Sequence, residues 1–413
     1  MIQPVDPQQN LAAARRALGS GQANEAIALL EAALKVAPDD AATLNMYGVA
    51  CLSAGRTNDA VRALRGAVEA DPNAASLRLN FSQALEDIGD YAAALDAIDG
   101  ALSLDPLIPV ALLRKGRLLE RVGAPDDGLK VYRHLLQALP PAGLPPEYDA
   151  ALAHARDLVE CDGRARRDLL AQLLGERDEP PSPRALTYLD HLCGLRAIYA
   201  QKPTGPYFPC LPAVEFFDRS QLPWLAELEQ AFDSIRTEML ALWRDDADGF
   251  APYIQYDATA PVNQWKELNH SPRWNAFHLW ESGKRNDSNC ARCPATVNRI
   301  ERLPLMDVPG KGPNVMFSIL QPNTHIPPHT GTTNTRATVH LPLIVPDDCF
   351  LRVGGDRRRV VEGQAWAFDD TFEHEAWNMS GQPRAILIVD AWNPFLSEGE
   401  RDVVRRAAPE VRL

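Results

Sequence analysis

The sequence predicts a multi-domain α + β chain, an N-terminal α-helical solenoid followed by an all-β jelly-roll domain with flanking helices. Two observations carry that reading. Prolines recur every 34 residues in the first third, and from Asn314 onward helical spacing gives way to short alternating apolar runs cut by turn residues. With 413 residues the chain has room for two or three domains.

Composition narrows the function classes. At 46% hydrophobic and 23% charged the chain folds, and a formal net charge of -13 argues against a surface built to neutralise phosphates or dock on anionic lipid. Neither a nucleic-acid nor a membrane partner is expected. The opening MIQPVDPQQNLAAARR has no basic segment leading into an apolar stretch, and runs such as AILIV are too short to span a bilayer, so a cytoplasmic location is expected. Seven scattered cysteines, an odd number, do not make a disulfide framework for a chain of this size.

In the front third, Pro38, Pro72, Pro106 and Pro140 are each 34 residues from the last. Small residues recur in the same phase at Gly48, Ser82 and Gly116, at Ala26, Ala60, Ala94 and Gly128, and at Ala33, Ala67 and Ala101, where Leu135 breaks the series. Two antiparallel helices need small residues at their closest approach. Tyr47, Phe81, Leu30, Leu64, Ile98 and Tyr132 are the fillers, and proline stops the second helix of each pair. The pattern resembles the tetratricopeptide family over residues 7–141 in about four copies. Such a stack implies a groove for a peptide or protein, or equally a scaffold for oligomerisation; oligomeric state is not readable.

Residues 142–204 read as a helical linker region: 146–175 keep helical spacing, ERDEPPSPR from Glu176 is an exposed break, and a further helix follows. The proline- and aromatic-rich KPTGPYFPCLPAVEFFDRSQLP suits an extended strap entering a new domain near residue 205. His134, His154 and His191 lack partners at metal-like spacing and read as ordinary histidines. His270 and His278 flank Trp274 and precede Trp280 and Lys284, where a pocket wall and plain packing compete; Trp280 is carried as a cofactor-side candidate. Cys290 and Cys293 form a lone CxxC, which falls short of a zinc site, leaving a local disulfide or two reduced thiols.

The runs NVMFSIL, TRATVHLPLIV, CFLRV, RRRVV, QAWAF, HEAW and RAILIVDAW read as strands. Among them lie His325, His329, His340 and His374. One histidine early and one late in a strand series, His329 and His374, is what a metal site across facing sheets requires, and imidazole pairs suit Fe(II). Ten positions after His374, Arg384 could grip a carboxylate with two parallel hydrogen bonds. Period-two spacing puts Arg336, Thr338 and His340 on one face, and a polar face inside a barrel is costly unless something polar binds there. Ser318 could reach a cosubstrate carboxylate.

SILQPNTHIPPHTGTTNTR, then HLPLIVP, FDDTFEHEAWN and RAILIVDAW resemble, in order and spacing, the aspartyl/asparaginyl β-hydroxylase family of Fe(II)- and 2-oxoglutarate-dependent oxygenases, over roughly residues 205–396. The resemblance implies a double-stranded β-helix, cupin-like domain over 205–400, with 401–413 left as a C-terminal tail. It implies His329 and His374 as iron ligands and Ser318, His340 and Arg384 as contacts to 2-oxoglutarate, with Arg336 and Thr338 beside them. His329 is preferred to His325 because it alone occupies the motif position. A facial triad has a carboxylate two residues after its first histidine; here that place is Gly331, a gap the family shares, and Asp369 or Asp370 is a candidate to supply a carboxylate or orient a ligand.

The implied reaction uses O2 and 2-oxoglutarate to hydroxylate an unactivated C–H bond, at the β-carbon of Asp or Asn in a peptide or protein, releasing succinate and CO2. Alternatives are hydroxylation or halogenation of a small molecule, and a non-catalytic repeat and cupin interaction module.

Overall fold

The computed structural model describes residues 7–139, 143–175, 181–245, 249–257, 259 and 263–410. Pro140, the last of the proline series, and residues 176–180 of the expected break lie outside them. The chain divides into two compact units, Met1–Arg196 and Ala197–Leu413. Among the described residues no helix is long and apolar enough to cross a membrane.

The first unit is helical throughout. Four helical pairs follow one another: α1 (Pro7–Gly19) with α2 (Ala23–Leu34), α3 (Ala41–Ser53) with α4 (Thr57–Ala70), α5 (Ala75–Asp87) with α6 (Tyr91–Leu104), and α7 (Pro109–Arg121) with α8 (Pro125–Ala138). Each pair turns on a glycine at positive φ, Gly21, Gly55, Gly89 and Gly123, a second 34-residue series that supplies the left-handed residue a tight helix end needs. Ala26, Ala60 and Ala94 are fully buried, as are Ala33, Ala67 and Ala101.

Large and small residues are matched within a pair. A Cβ on Gly48 would meet the Leu64 side chain at 2.4 Å, and one on Gly116 would meet the Tyr132 ring at 2.2 Å. Tyr132, at the position that holds Leu or Ile elsewhere, fits because residue 116 has no side chain. Then follow α9 (Asp149–Leu174) and α10 (Pro183–Leu192). Leu152 and Ala155 of α9 pack with Tyr132 and Leu135 of α8, so α9 extends the helical core instead of acting as a linker.

The second unit is built on two antiparallel sheets. Its strands are β1 (Ala251–Pro252), β2 (Trp274–Glu281), β3 (Lys284–Arg285), β4 (Val315–Leu320), β5 (Thr324–His329), β6 (Arg336–Ile344), β7 (Cys349–Val353), β8 (Asp356–Arg359), β9 (Trp366–Phe368), β10 (His374–Asn378) and β11 (Arg384–Trp392). One sheet runs β1-β2-β4-β11-β6-β9 with β3 on β2; the other runs β5-β10-β7-β8. From β4 onward the chain passes between the sheets at every connection except the β7–β8 hairpin.

None of the strand runs read from the sequence covers β5. Its Pro327 and Pro328 cannot donate to a ladder, and β5 lies on the outer edge of its sheet, where that costs nothing. Helices α11 (Leu225–Gln230), α12 (Phe232–Asp245), α13 (Asp287–Cys290) and α14 (Pro294–Ile300) precede β4. Residues of α11, α12 and α14 share one apolar core with Val315, Phe317, Val339, Leu341, Leu387 and Val389, which covers one face of the larger sheet and leaves the other to the site.

Two boundaries differ from expectation. The second unit begins at Ala197, before the expected 205, because the strap is hydrogen-bonded to it early: Lys202 N–H donates to Thr371 C=O at 2.7 Å, Thr204 N–H to Gly331 C=O at 3.0 Å, and Gly205 N–H to Thr332 C=O at 2.9 Å. The expected tail belongs largely to α15 (Glu398–Ala407), closed at its start by a Ser397/Glu400 capping box.

Candidate active site

Alternation along three central strands builds one wall of a cavity of about 620 Å³. While Val339, Leu341, Leu387 and Val389 enter the apolar core, Ser318 of β4, Thr338 and His340 of β6, and Arg384, Ile386, Ile388 and Asp390 of β11 line the cavity. The smaller sheet supplies Ile326, His329, Leu351, His374 and Ala376, and loop aromatics Tyr253 and Trp265 add to the lining.

His329 and His374 are cross-strand partners in the β5/β10 ladder, their ring centroids 4.0 Å apart. A register shift beside them compensates for the odd spacing between Ile326 and His329. His329 Nδ1 lies 2.8 Å from Pro327 C=O, and His374 Nδ1 lies 3.0 Å from Phe372 C=O. A carbonyl only accepts, so both rings carry their proton on Nδ1 and keep the lone pair on Nε2, as a metal ligand must. Burial, with the charge of His374 second, lowers the His329 pKa to about 3, and burial lowers that of His374 as well. Both imidazoles are therefore neutral at pH 7. Among the described residues no group of three His, Cys, Asp or Glu side chains has ligand geometry.

His325 does not join them. Its Nε2 lies 2.8 Å from Glu375 Oε2, and its ring stacks on Trp377 at 5.1 Å, side chains that are not part of the cavity lining.

The buried Arg384 guanidinium lines the cavity and its Nε has no partner. Burial lowers its pKa to about 10, still charged at neutral pH. His340 is held well below its ordinary pKa by burial and then by the charge of Arg384. Ser318 Oγ accepts from Trp274 Nε1 at 2.9 Å. The unpartnered Arg384 Nε, and the Ser318 hydroxyl used only as an acceptor, leave polar capacity that argues for a polar ligand.

Both terminal nitrogens of Arg336 are committed elsewhere, while its Nε is buried without a partner. Its Nη2 donates to Asp370 Oδ2 at 2.5 Å and its Nη1 to Asp390 Oδ2 at 3.2 Å. Burial alone would lower its pKa, but Asp370 and then Asp390 hold it above the usual range. The gap at Gly331 has a structural counterpart: a Cβ there would stand 2.2 Å from Asp370 Cγ. Asp370 fills the space beside residue 331, while Asp369 is turned to Thr371 and Gln201.

Trp280 is a correction. It is buried in the apolar core with Leu279, because a register shift between His278 and Trp280 changes the phase of β2 against β4. Trp274, at the same parity before the shift, is the tryptophan of that strand in the cavity wall. Lys284 lines a separate surface hollow with His278 and Glu281. His270 Nε2 lies 2.8 Å from Tyr256 C=O. His154 pairs with Glu120 and His191 with Arg196 C=O, and His134 is exposed. Cys290 and Cys293 are unpaired thiols in the apolar core. Sequence reading missed Trp265, Tyr253, Asn314 and Asp390; only Asp390, an acid at the inward parity of an apolar strand, carried a signal.

Residues 229–394 match the profile of the aspartyl/asparaginyl β-hydroxylase family, and residues 17–81 and 79–143 match tetratricopeptide repeats. The chain carries an aspartyl/asparaginyl β-hydroxylase domain behind tetratricopeptide repeats. Over 175 residues it is 35% identical to the Homo sapiens aspartyl/asparaginyl β-hydroxylase, covering 42% of this chain and 22% of that protein. Over 184 residues it is 33% identical to the Rhizobium tropici ornithine lipid ester-linked acyl 2-hydroxylase, covering 44% of this chain and 61% of that protein. The chain thus spans less than two thirds of the length of either relative. The crystal structure of MamA protein aligns with 43% of this chain and 98% of its own at 19% identity and a TM-score of 0.34. Within the β-hydroxylase domain, the matched span holds His329, His374, Arg384 and the strands that carry them.

Proposed function

We propose that the β-hydroxylase domain is an Fe(II)- and 2-oxoglutarate-dependent oxygenase that hydroxylates an unactivated C–H bond, at the β-carbon of Asp or Asn in a peptide or protein. The observation that carries this is the His329/His374 pair, two neutral imidazoles at 4.0 Å with both Nδ1 atoms engaged by backbone carbonyls. Two nitrogen ligands, with no carboxylate grouped with them among the described residues, fit a ferrous ion that leaves positions for a chelating cosubstrate. The unsatisfied Arg384 Nε fits the far carboxylate of such a cosubstrate. The alternation of strands between two sheets supports reading the domain as a double-stranded β-helix.

His329 and His374 would hold the iron; Arg384, Ser318 and His340 would hold 2-oxoglutarate. Together the two groups supply the oxidising power for hydroxylation when O2 converts the cosubstrate to succinate and CO2. The chain's own work is orientation and exclusion of water. Trp274 fixes the Ser318 hydroxyl, the Phe372 and Pro327 carbonyls fix the imidazole tautomers, and Ile386, Ile388, Leu351 and Phe368 keep the cavity wall apolar. The carboxylate of Asp370 beside Gly331 weighs against a halide there and so against halogenation, because two anions would share one small space.

The repeats support a protein or peptide partner, and seven unpaired cysteines support a reducing, cytoplasmic setting. The test is anaerobic addition of Fe(II) and 2-oxoglutarate, read by the visible charge-transfer band of the chelate. The band is expected in wild type, absent in His329→Ala and His374→Ala, and shifted to higher 2-oxoglutarate in Arg384→Ala. Folded wild type without a band would reject the proposal and make a binding module the leading reading.

A further inference from the structure

The cavity has opposite electrical poles along one strand. Arg384, Ile386, Ile388 and Asp390 of β11 all line it, and six residues of extended chain separate the Cα atoms of Arg384 and Asp390 by about 20 Å. At the Arg384 end, among the described residues, the cation has no acid paired with it. At the other end Asp370 and Asp390 share one guanidinium, that of Arg336, at 2.5 and 3.2 Å.

Two carboxylates to one cation leave this pole with a surplus negative charge, and its acids are 7% and 4% exposed. Part of its hydrogen-bonding capacity is unused. Asp370 Oδ1, Thr338 Oγ1 and Arg336 Nε are buried without a partner, two oxygens and one donor. Asp390 Oδ2 accepts from Arg336, from Asn314 N–H at 3.0 Å and from Asn314 Nδ2 at 2.8 Å, so these three bonds fall on one oxygen. Thr338 faces Asp390 across the β6/β11 ladder. A buried surplus charge beside unsatisfied oxygens is costly until a donor arrives.

Among the described residues lining the cavity, Arg336 and Arg384 are the only side chains with a permanent positive charge. Once Arg384 holds the cosubstrate, as the proposed function has it, none is left for a substrate carboxylate. We infer that the Asp370–Arg336–Asp390 pole reads the substrate, accepting a hydrogen-bond-donating amide or ammonium group and rejecting a carboxylate. Within the substrate class proposed above, asparagine side chains are taken and aspartate ones are turned away, and an ammonium side chain outside that class offers the same donor chemistry. This selection rests on that reading for the role of Arg384. It works as specificity by repulsion does, through an uncompensated charge set against the wrong ligand.

The experiment is calorimetric titration of the full-length chain, anaerobic, with and without Fe(II) and 2-oxoglutarate. The probes are three N-acetyl methylamides, of asparagine, of aspartate and of 2,4-diaminobutyrate. The amide and ammonium probes should bind at least about tenfold more tightly than the carboxylate. Asp390→Asn, which removes the surplus charge and keeps the shape, should bring the three to within about threefold of one another. Thr338→Lys, which removes no buried partner and adds a cation opposite Asp390, should raise affinity for the carboxylate probe even if Asp390→Asn does not fold. Equal or tighter binding of the carboxylate, a preference unchanged in the folded variants, or no binding by any probe at about 10 mM overturns the inference. Loss of the charge-transfer band in the same samples would reject the iron and 2-oxoglutarate reading instead, and binding to metal-free protein keeps the two failures apart.

Discussion

Gly331 and Asp370 should be coupled through the space they share. A Cβ at residue 331 would stand 2.2 Å from Asp370 Cγ and Oδ2, where carbon contacts settle at about 3.5–4.0 Å. Neither side yields cheaply. Gly331 N–H donates to Asp370 C=O at 2.6 Å, Gly331 C=O accepts from Thr204 N–H at 3.0 Å, and the Asp370 carboxylate is tied to Arg336. In Gly331→Ala the carboxylate must leave Arg336 or the loop must move, which costs about 2 kcal/mol from overpacking alone. For a unit of this size that is a fall in Tm of about 4–8 °C.

All eight tryptophans lie between Trp224 and Trp392, inside the second unit, so tryptophan fluorescence during urea unfolding reports that unit. Asp370→Ala destabilises by itself, since it removes one acid from a buried pair. The double variant Gly331→Ala, Asp370→Ala should be no less stable than Asp370→Ala, a coupling of about 2 kcal/mol. Additive losses, or a Gly331→Ala within about 0.5 kcal/mol of wild type, would refute the reasoning. By the same logic Gly331→Asp should not raise Fe(II) affinity while Asp370 is present.

His325→Ala should leave Fe(II) affinity within about twofold of wild type, whereas His329→Ala should lose at least about a hundredfold, read by metal titration. His329 titrates near 6.5 unfolded and at about 3 folded, so the unfolded chain binds the extra proton between these values. Its contribution is complete above about pH 6.5 and is lost as pH falls toward 3; metal-free protein should lose on the order of 2 kcal/mol at pH 5 through this group, and His329→Gln should flatten the urea-measured pH profile by as much. In the first unit, Gly116→Ala should cost about 1–3 kcal/mol against the Tyr132 ring, followed by far-UV circular dichroism. Gly116→Ser with Tyr132→Ile, the pair found one repeat earlier at Ser82 and Ile98, should recover most of it, less the Tyr132 hydrogen bond to Glu120.

Much of the architecture was legible because it is periodic along the chain. The 34-residue phase of proline and alanine marks the helical pairs, and the turn glycines Gly21, Gly55, Gly89 and Gly123 carry the same phase. Alternation placed Arg336, Thr338 and His340 on one face of β6, and all three line the cavity. The strands hardest to see were β2 and β5. Tryptophan and histidine obscure the alternation of WNAFHLWE, and two prolines in β5 are tolerated only because that strand is an edge.

What the sequence by itself determined are features that repeat at fixed intervals or sit at fixed motif positions: the helical array, the β-rich domain, and His329, His374 and Arg384 as a set. What only the tertiary structure decided depends on strand order and on breaks in phase. One register shift turns Trp280 into the core and leaves Trp274 at the site. Another accompanies the pairing of His329 with His374, while His325 stacks on Trp377. Strand order β4-β11-β6 brings Asn314, Asp390 and Arg336 together, and Asp370 comes to Arg336 from before β10. The reason is physical: periodicity is a local property that each segment carries with it, whereas a phase shift of one residue reverses which face a side chain occupies, and partners distant in sequence meet only when the sheets close.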